Sequence, residues 1–103
     1  MTDPLVIFTV MSPTELKDEI IDRLMHFEHI SGFNLLPING YSKAHCSFNM
    51  EEQVQGYRKL LQFEIAINRQ YVDELKALLS PISQRDPLRY WLVEVSEDGH
   101  ITN

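Results

Sequence analysis

A chain of 103 residues makes one domain rather than two. Its hydrophobic content of 44% allows a packed core, and its net charge of −6 argues against nucleic acid as a general partner, because phosphate binding needs a basic face. A single cysteine excludes an internal disulfide and points to a reducing compartment. The apolar run from Leu5 to Met11 is too short to span a membrane and lacks the basic start of a signal peptide, so a cytoplasmic protein is expected.

Leu5–Val10 (LVIFTV) is a short, almost continuous apolar run rich in branched residues, the pattern of a buried central strand. Ser12-Pro13-Thr14-Glu15 then has the form of a helix start. Ser12 fits the N-cap, Pro13 the first helical position, and Glu15 a capping box. Leu16, Ile20, Leu24 and Phe27 follow as one apolar stripe, and Gly32 is placed to end the helix in the left-handed conformation. Phe33–Asn39 reads as a second strand. Pro37 cannot donate to a ladder and puts that strand at an edge or a bulge.

Residues 41–56 (YSKAHCSFNMEEQVQG) show no apolar periodicity. A hairpin turns in about two to five residues, so a connection this long is expected to carry function. Leu61, Phe63, Ile65 and Ile67 then alternate with Leu60, Gln62, Glu64 and Ala66 as a strand of period two. Asn68 caps a second helix with the stripe Val72, Leu75, Leu79 and Ile82, and Pro81 marks its end. Tyr90–Ser96 is the last strand, and Asp98-Gly99 turns the tail.

The order strand, helix, strand, strand, helix, strand with right-handed crossovers gives an α+β, ferredoxin-like βαββαβ domain over residues 1–103. It has a four-stranded antiparallel sheet with two helices on one face. Helices cover one face only. Simple alternation leaves Leu60, Tyr90 and Leu92 together on the other, which points to an oligomer interface.

This order, the long connection between the second and third strands, and the partly apolar open face resemble the PII-like superfamily, which includes the nitrogen-regulatory PII proteins and CutA. Glu52-Gln53-Val54-Gln55-Gly56-Tyr57-Arg58, running into Leu60-Leu61-Gln62-Phe63, is similar to a small PII-like family often encoded beside heavy-metal efflux pumps. The resemblance implies a homotrimer with its sheets facing inward and ligand clefts between subunits. In such a trimer Gln53, Arg58, Lys59, Arg85 and Arg89 would fall at the cleft, and arginine grips carboxylate or phosphate with two parallel hydrogen bonds. Ordinary surface charge is the competing reading of these cations. The sequence departs from the ATP-binding members at Ser83–Pro87, which holds no glycine to form a phosphate cradle, so ATP is expected to bind poorly.

His45, Cys46 and Met50 offer imidazole, thiolate and thioether, a soft set suited to Cu(I) or Zn(II); against that stands a polar loop that merely contains them. His26 and His29 lie three apart at the end of the first helix, where protonated histidine complements the helix dipole, and a metal pair is the rival reading. No nucleophile, base and orienting group stand at recognisable spacing, and no phosphate-loop or dinucleotide motif is present, so a non-enzymatic protein is expected. The first reading is a trimeric sensor that takes a small ligand or metal and signals through residues 41–56 to a partner, with a membrane metal-efflux transporter as the candidate partner by family association. The alternatives are a CutA-like metal binder without a regulated partner, and a ferredoxin-like enzyme with its active site at an interface.

Overall fold

A computed structural model describes residues 4–42, 56–84 and 86–103. Strand β1 (Leu5–Pro13) leads through a 3-10 turn (Thr14–Leu16) into helix α1 (Lys17–Met25). Strands β2 (Asn34–Gly40) and β3 (Arg58–Asn68) follow. A second 3-10 turn (Arg69–Tyr71) opens helix α2 (Val72–Leu79), a third (Ser80–Gln84) closes it, and β4 (Tyr90–Glu94) completes the sheet. The sheet is antiparallel, in the order β2-β3-β1-β4.

The core follows from alternation. Val6, Phe8 and Val10 of β1 face Ile67, Ile65 and Phe63 of β3, and all six are buried under the helices. Ile20 and Leu24 of α1, and Val72, Leu75 and Leu79 of α2, close over them. Each such side chain contributes roughly 1.5–3 kcal/mol when fully buried. The helices are also tied by Arg23 Nη1, which donates to the Leu78 carbonyl at 3.1 Å. Pro37 lies on the outer strand β2, which among the described residues pairs with β3 alone, so its missing N–H costs the ladder nothing on the open side.

Several local expectations are corrected. Ser12 does not cap a helix. It is an inward-facing, fully buried residue near the end of β1, and its hydroxyl donates to the Pro13 carbonyl at 3.1 Å. The strand continues through Pro13, so no capping box forms at Glu15. Helix α1 stops at Met25 rather than at Gly32. Phe27 N–H reaches back to the Leu24 carbonyl at 3.1 Å, a tightened closure that ends α-helical propagation. Gly32 is not left-handed; among the described residues Gly56, with φ of 80°, is the residue at positive φ. Asn68 behaves as expected: its Oδ1 accepts from Gln70 N–H at 3.0 Å at the entrance to α2.

The open face is also corrected. Tyr90 pairs with Val10 and Leu92 with Phe8, so both lie on the helix side, where Leu92 packs on the core and Tyr90 stacks on Phe8 at 5.2 Å. The residues of β4 on the open side are Trp91 and Val93, which are 36% and 51% exposed. They share that face with Ile7 and Met11 of β1, Leu60 and Ala66 of β3, and Leu36 and Ile38 of β2. The earlier expectation placed the faces of β4 without a register. The observed pairing moves every residue of that strand to the opposite side.

Candidate functional site

The register fixes where the chemistry gathers. Gly40, the last residue of β2, sits opposite Arg58, the first of β3. The roots of the 41–56 segment are therefore neighbours at one end of the sheet. The turn before β4 arrives at the same end, held by Met11 N–H donating to the Arg89 carbonyl at 2.9 Å. Between them lies a cleft of about 580 Å³. Met11, Ser12 and Pro13 line it from β1, Ile38 to Ser42 from β2 and beyond, Arg58 and Leu60 from β3, and Asp86, Pro87 and Arg89 from the last turn.

Arg58 and Arg89, far apart in sequence, thus line one cavity. Pairing parity puts both on the open-face side: Arg58 shares a face with Leu60, and Arg89 with Trp91. The Arg89 guanidinium lies 5.5 Å from the Trp91 ring centre, in cation–π range. Lys59 is one residue out of phase. It is exposed and does not line the cleft. Gln53 and Arg85 lie outside the described residues, as do His45, Cys46 and Met50. Among the described residues, no group of three or more His, Cys, Asp or Glu side chains is placed to hold a metal ion.

Two features of the cleft escape a reading by strand pattern alone. Tyr41 and Tyr57 meet at 5.5 Å between ring centres beside the cleft, because each lies one step outside the Gly40–Arg58 pair. Counting outward from that pair would have found them. The apolar floor, Met11, Ile38 and Leu60, is built across three strands and emerges only from register.

Other cavities are less suited to an anion. One of about 500 Å³ is lined by Glu15, Glu19 and Asp86, and one of about 150 Å³ lies between Lys76, Tyr90 and Leu88. In the smaller, Lys76 Nζ stands 5.1 Å from the Tyr90 ring centre. The Tyr90 hydroxyl, as a hydrogen-bond partner first and a charge second, holds the ammonium above its ordinary value. The two histidines separate. His26 caps α1, its Nδ1 donating to the Asp22 carbonyl at 2.7 Å. His29 lies beyond the helix, stacked on Tyr71 at 3.9 Å with its Nε2 at 3.3 Å from Glu74. They do not share a helix face, so the metal-pair alternative has no geometry.

A four-stranded antiparallel sheet in this order, with both helices on one face and a cleft at the root of a long β2–β3 connection, is the architecture of the PII-like, ferredoxin-like class. The chain belongs to the protein family DUF3240, described as a protein family of unknown function, whose model matches residues 2–102. It is similar to the crystal structure of a DUF3240 family protein from Shewanella baltica OS155, with a TM-score of 0.80, 26% identity, and coverage of 97% of this chain and 99% of that one. It also resembles CPII, a nitrogen regulatory PII-like protein from Thiomonas intermedia K12 bound to ADP, AMP and bicarbonate, with a TM-score of 0.71, 14% identity, and coverage of 98% and 100%. CutA1 from Pyrococcus horikoshii matches with a TM-score of 0.68, 13% identity, and coverage of 92% and 86%. Among curated proteins none matches in sequence. Among the described residues no helix is long and apolar enough to cross a membrane.

Proposed function

We propose that this chain is a PII-like sensor rather than an enzyme. It assembles as a homotrimer through the open sheet face and takes a small anionic ligand in the Arg58–Arg89 cleft. Ligand binding there acts on residues 41–56, which dock a partner protein. The observation that carries this reading is the convergence of Arg58 and Arg89 on one cleft at the root of that segment. A ligand gripped by these cations touches both ends of the connection. The open face supplies apolar area for assembly, since Leu36, Trp91 and Val93 are each more than a third exposed. The partner remains the one the family association gives, a membrane metal-efflux transporter.

Titration calorimetry with ADP, AMP, ATP, bicarbonate and small carboxylates tests the cleft. ADP and AMP are included because CPII was solved with them. Replacing Arg58 or Arg89 by alanine should cost about 1.5–3 kcal/mol, the worth of a charge-assisted hydrogen bond, or roughly ten- to 150-fold in affinity. ATP should be the weakest nucleotide, because Ser83–Pro87 holds no glycine. A panel in which nothing binds defeats the reading. The alternative is a CutA-like soft-metal binder acting through His45, Cys46 and Met50, whose imidazole, thiolate and thioether suit such an ion. That reading requires Cu(I) or Zn(II) binding that Cys46→Ser abolishes.

A further inference from the structure

The cleft that holds Arg58 and Arg89 also holds a carboxylate, since Asp86 of the last turn lines it with them. Among the described residues Asp86 makes no ion pair, so neither arginine neutralises it. Asp86 and Pro13 also line the cavity of about 500 Å³ and so form a wall common to both. Beyond that wall stand Glu15 and Glu19, and among the described residues no lysine or arginine lines that side. Glu19 already has a cation, Arg23, at 3.6 Å, whereas Glu15 accepts from the Thr14 hydroxyl at 3.4 Å. Charge is therefore ordered across the site. It is positive at Arg58 and Arg89, and negative at Asp86 and past it.

That order discriminates between ligands. A polyanion gains from the guanidiniums but meets the Asp86 carboxylate, and a repulsive contact of this kind sets specificity as much as an attractive one. A molecule with an ammonium beside its anionic group satisfies both poles with charge-assisted hydrogen bonds. The third feature is the floor. Met11, Ile38 and Leu60 are half-buried, and they offer apolar surface inside a cleft of about 580 Å³, an ordinary size for a small-molecule site. An α-amino acid with an aliphatic side chain carries all three complements on one carbon. We infer that the cleft selects such a zwitterion, with its carboxylate on Arg58 and Arg89, its ammonium at Asp86 and its side chain over Met11, Ile38 and Leu60. This rests on the cleft part of the proposed function and names the chemistry of the ligand. Asp86 becomes the specificity-determining residue, because it separates a zwitterion from a simple carboxylate of the same shape.

Titration calorimetry of the full chain with four probes tests the inference. L-leucine carries all three groups. Isocaproate lacks the ammonium, isoamylamine lacks the carboxylate, and glycine lacks the side chain. Leucine should bind at least about tenfold more tightly than each of the others, since each has lost a charge-assisted hydrogen bond or the apolar contact. Asp86→Asn should erase the preference for leucine over isocaproate, and Asp86→Glu should retain it. Both ligands are measured on the same protein, so a general loss of fold cannot produce that change of ratio. Isocaproate binding as tightly as leucine, or an unchanged preference in Asp86→Asn, overturns the inference and leaves an anion-binding cleft standing. Silence with leucine while ADP, AMP or bicarbonate binds has the same meaning. Silence with every one of these molecules overturns both.

Discussion

Two adjacent residues of β4 separate the assembly surface from the core. Val93 lies on the open face and is 51% exposed, whereas Leu92 lies opposite Phe8 and packs on the core. Covering the exposed half of Val93 in an interface contributes about 1 kcal/mol. Placing a carboxylate there adds a desolvation cost of several kcal/mol. Val93→Glu should therefore weaken each contact by at least about 3 kcal/mol, or roughly 100-fold in the dissociation constant. The isolated domain should still fold, because the side chain then faces water. Leu92→Glu instead forces a carboxylate against the apolar core, and several kcal/mol is a large share of the roughly 5–15 kcal/mol that stabilises a small domain. Sedimentation velocity paired with thermal melts followed by circular dichroism distinguishes the outcomes. Val93→Glu should give a folded monomer and Leu92→Glu an unfolded or strongly destabilised chain. A Val93→Glu protein that stays oligomeric at micromolar concentration, or a Leu92→Glu protein that is folded and merely dissociated, would refute the reasoning.

Asn68→Ala should cost about 1 kcal/mol through loss of the cap on the turn into α2, read as a lower urea midpoint with an unchanged slope. His29→Ala removes the stack on Tyr71 and the pairing with Glu74; a loss of roughly 0.5–1.5 kcal/mol is expected, and each 1 kcal/mol lowers the melting temperature of a domain this size by about 4–8 °C. Tyr90→Phe should lower the melting temperature by a small, constant amount from acid to neutral pH, and the two proteins should converge on the alkaline side. The folded state holds the Lys76 ammonium above its ordinary value of 10.5, so its contribution is complete below that pH and disappears as pH rises through the folded value. Melting temperatures that coincide at neutral pH and diverge only on the alkaline side would reject this assignment.

The element order was legible because period-two alternation in β3 and the centres of the two apolar helix stripes survive into the structure, although Leu16 and Phe27 fall outside α1 and Ile82 outside α2. Pro37 announced an edge strand, and Asn68 announced a cap, each through a missing or supplied hydrogen bond. Ser12 misled for a physical reason. A serine before proline looks like a cap, yet here the strand's alternation buries it instead. The faces of β4 were misassigned because alternation fixes which residues go together but not which set faces the helices. That depends on pairing with β1. Arg58 and Arg89 were legible as basic positions at the ends of elements. Lys59 was indistinguishable from them until the Gly40–Arg58 pair set the phase of β3. The floor of the cleft comes from three strands and has no local signature.

The position of β1 has a consequence for how the chain is made. It is the first of the four strands, yet it lies inside the sheet, with Leu5 paired to Asn68 and Val6 to Glu94. On a ribosome, β1 waits through about eighty further residues for its second neighbour, roughly 4–16 s at about 5–20 residues per second. Until β3 is made both edges of β1 lack a partner, and until β4 is made one still does, the condition under which strands stick to other chains. Native closure joins segments distant in sequence, which places folding among the slower small α/β domains rather than with helical bundles. The strand that holds the finished sheet together is thus the one the newborn chain must shield for longest.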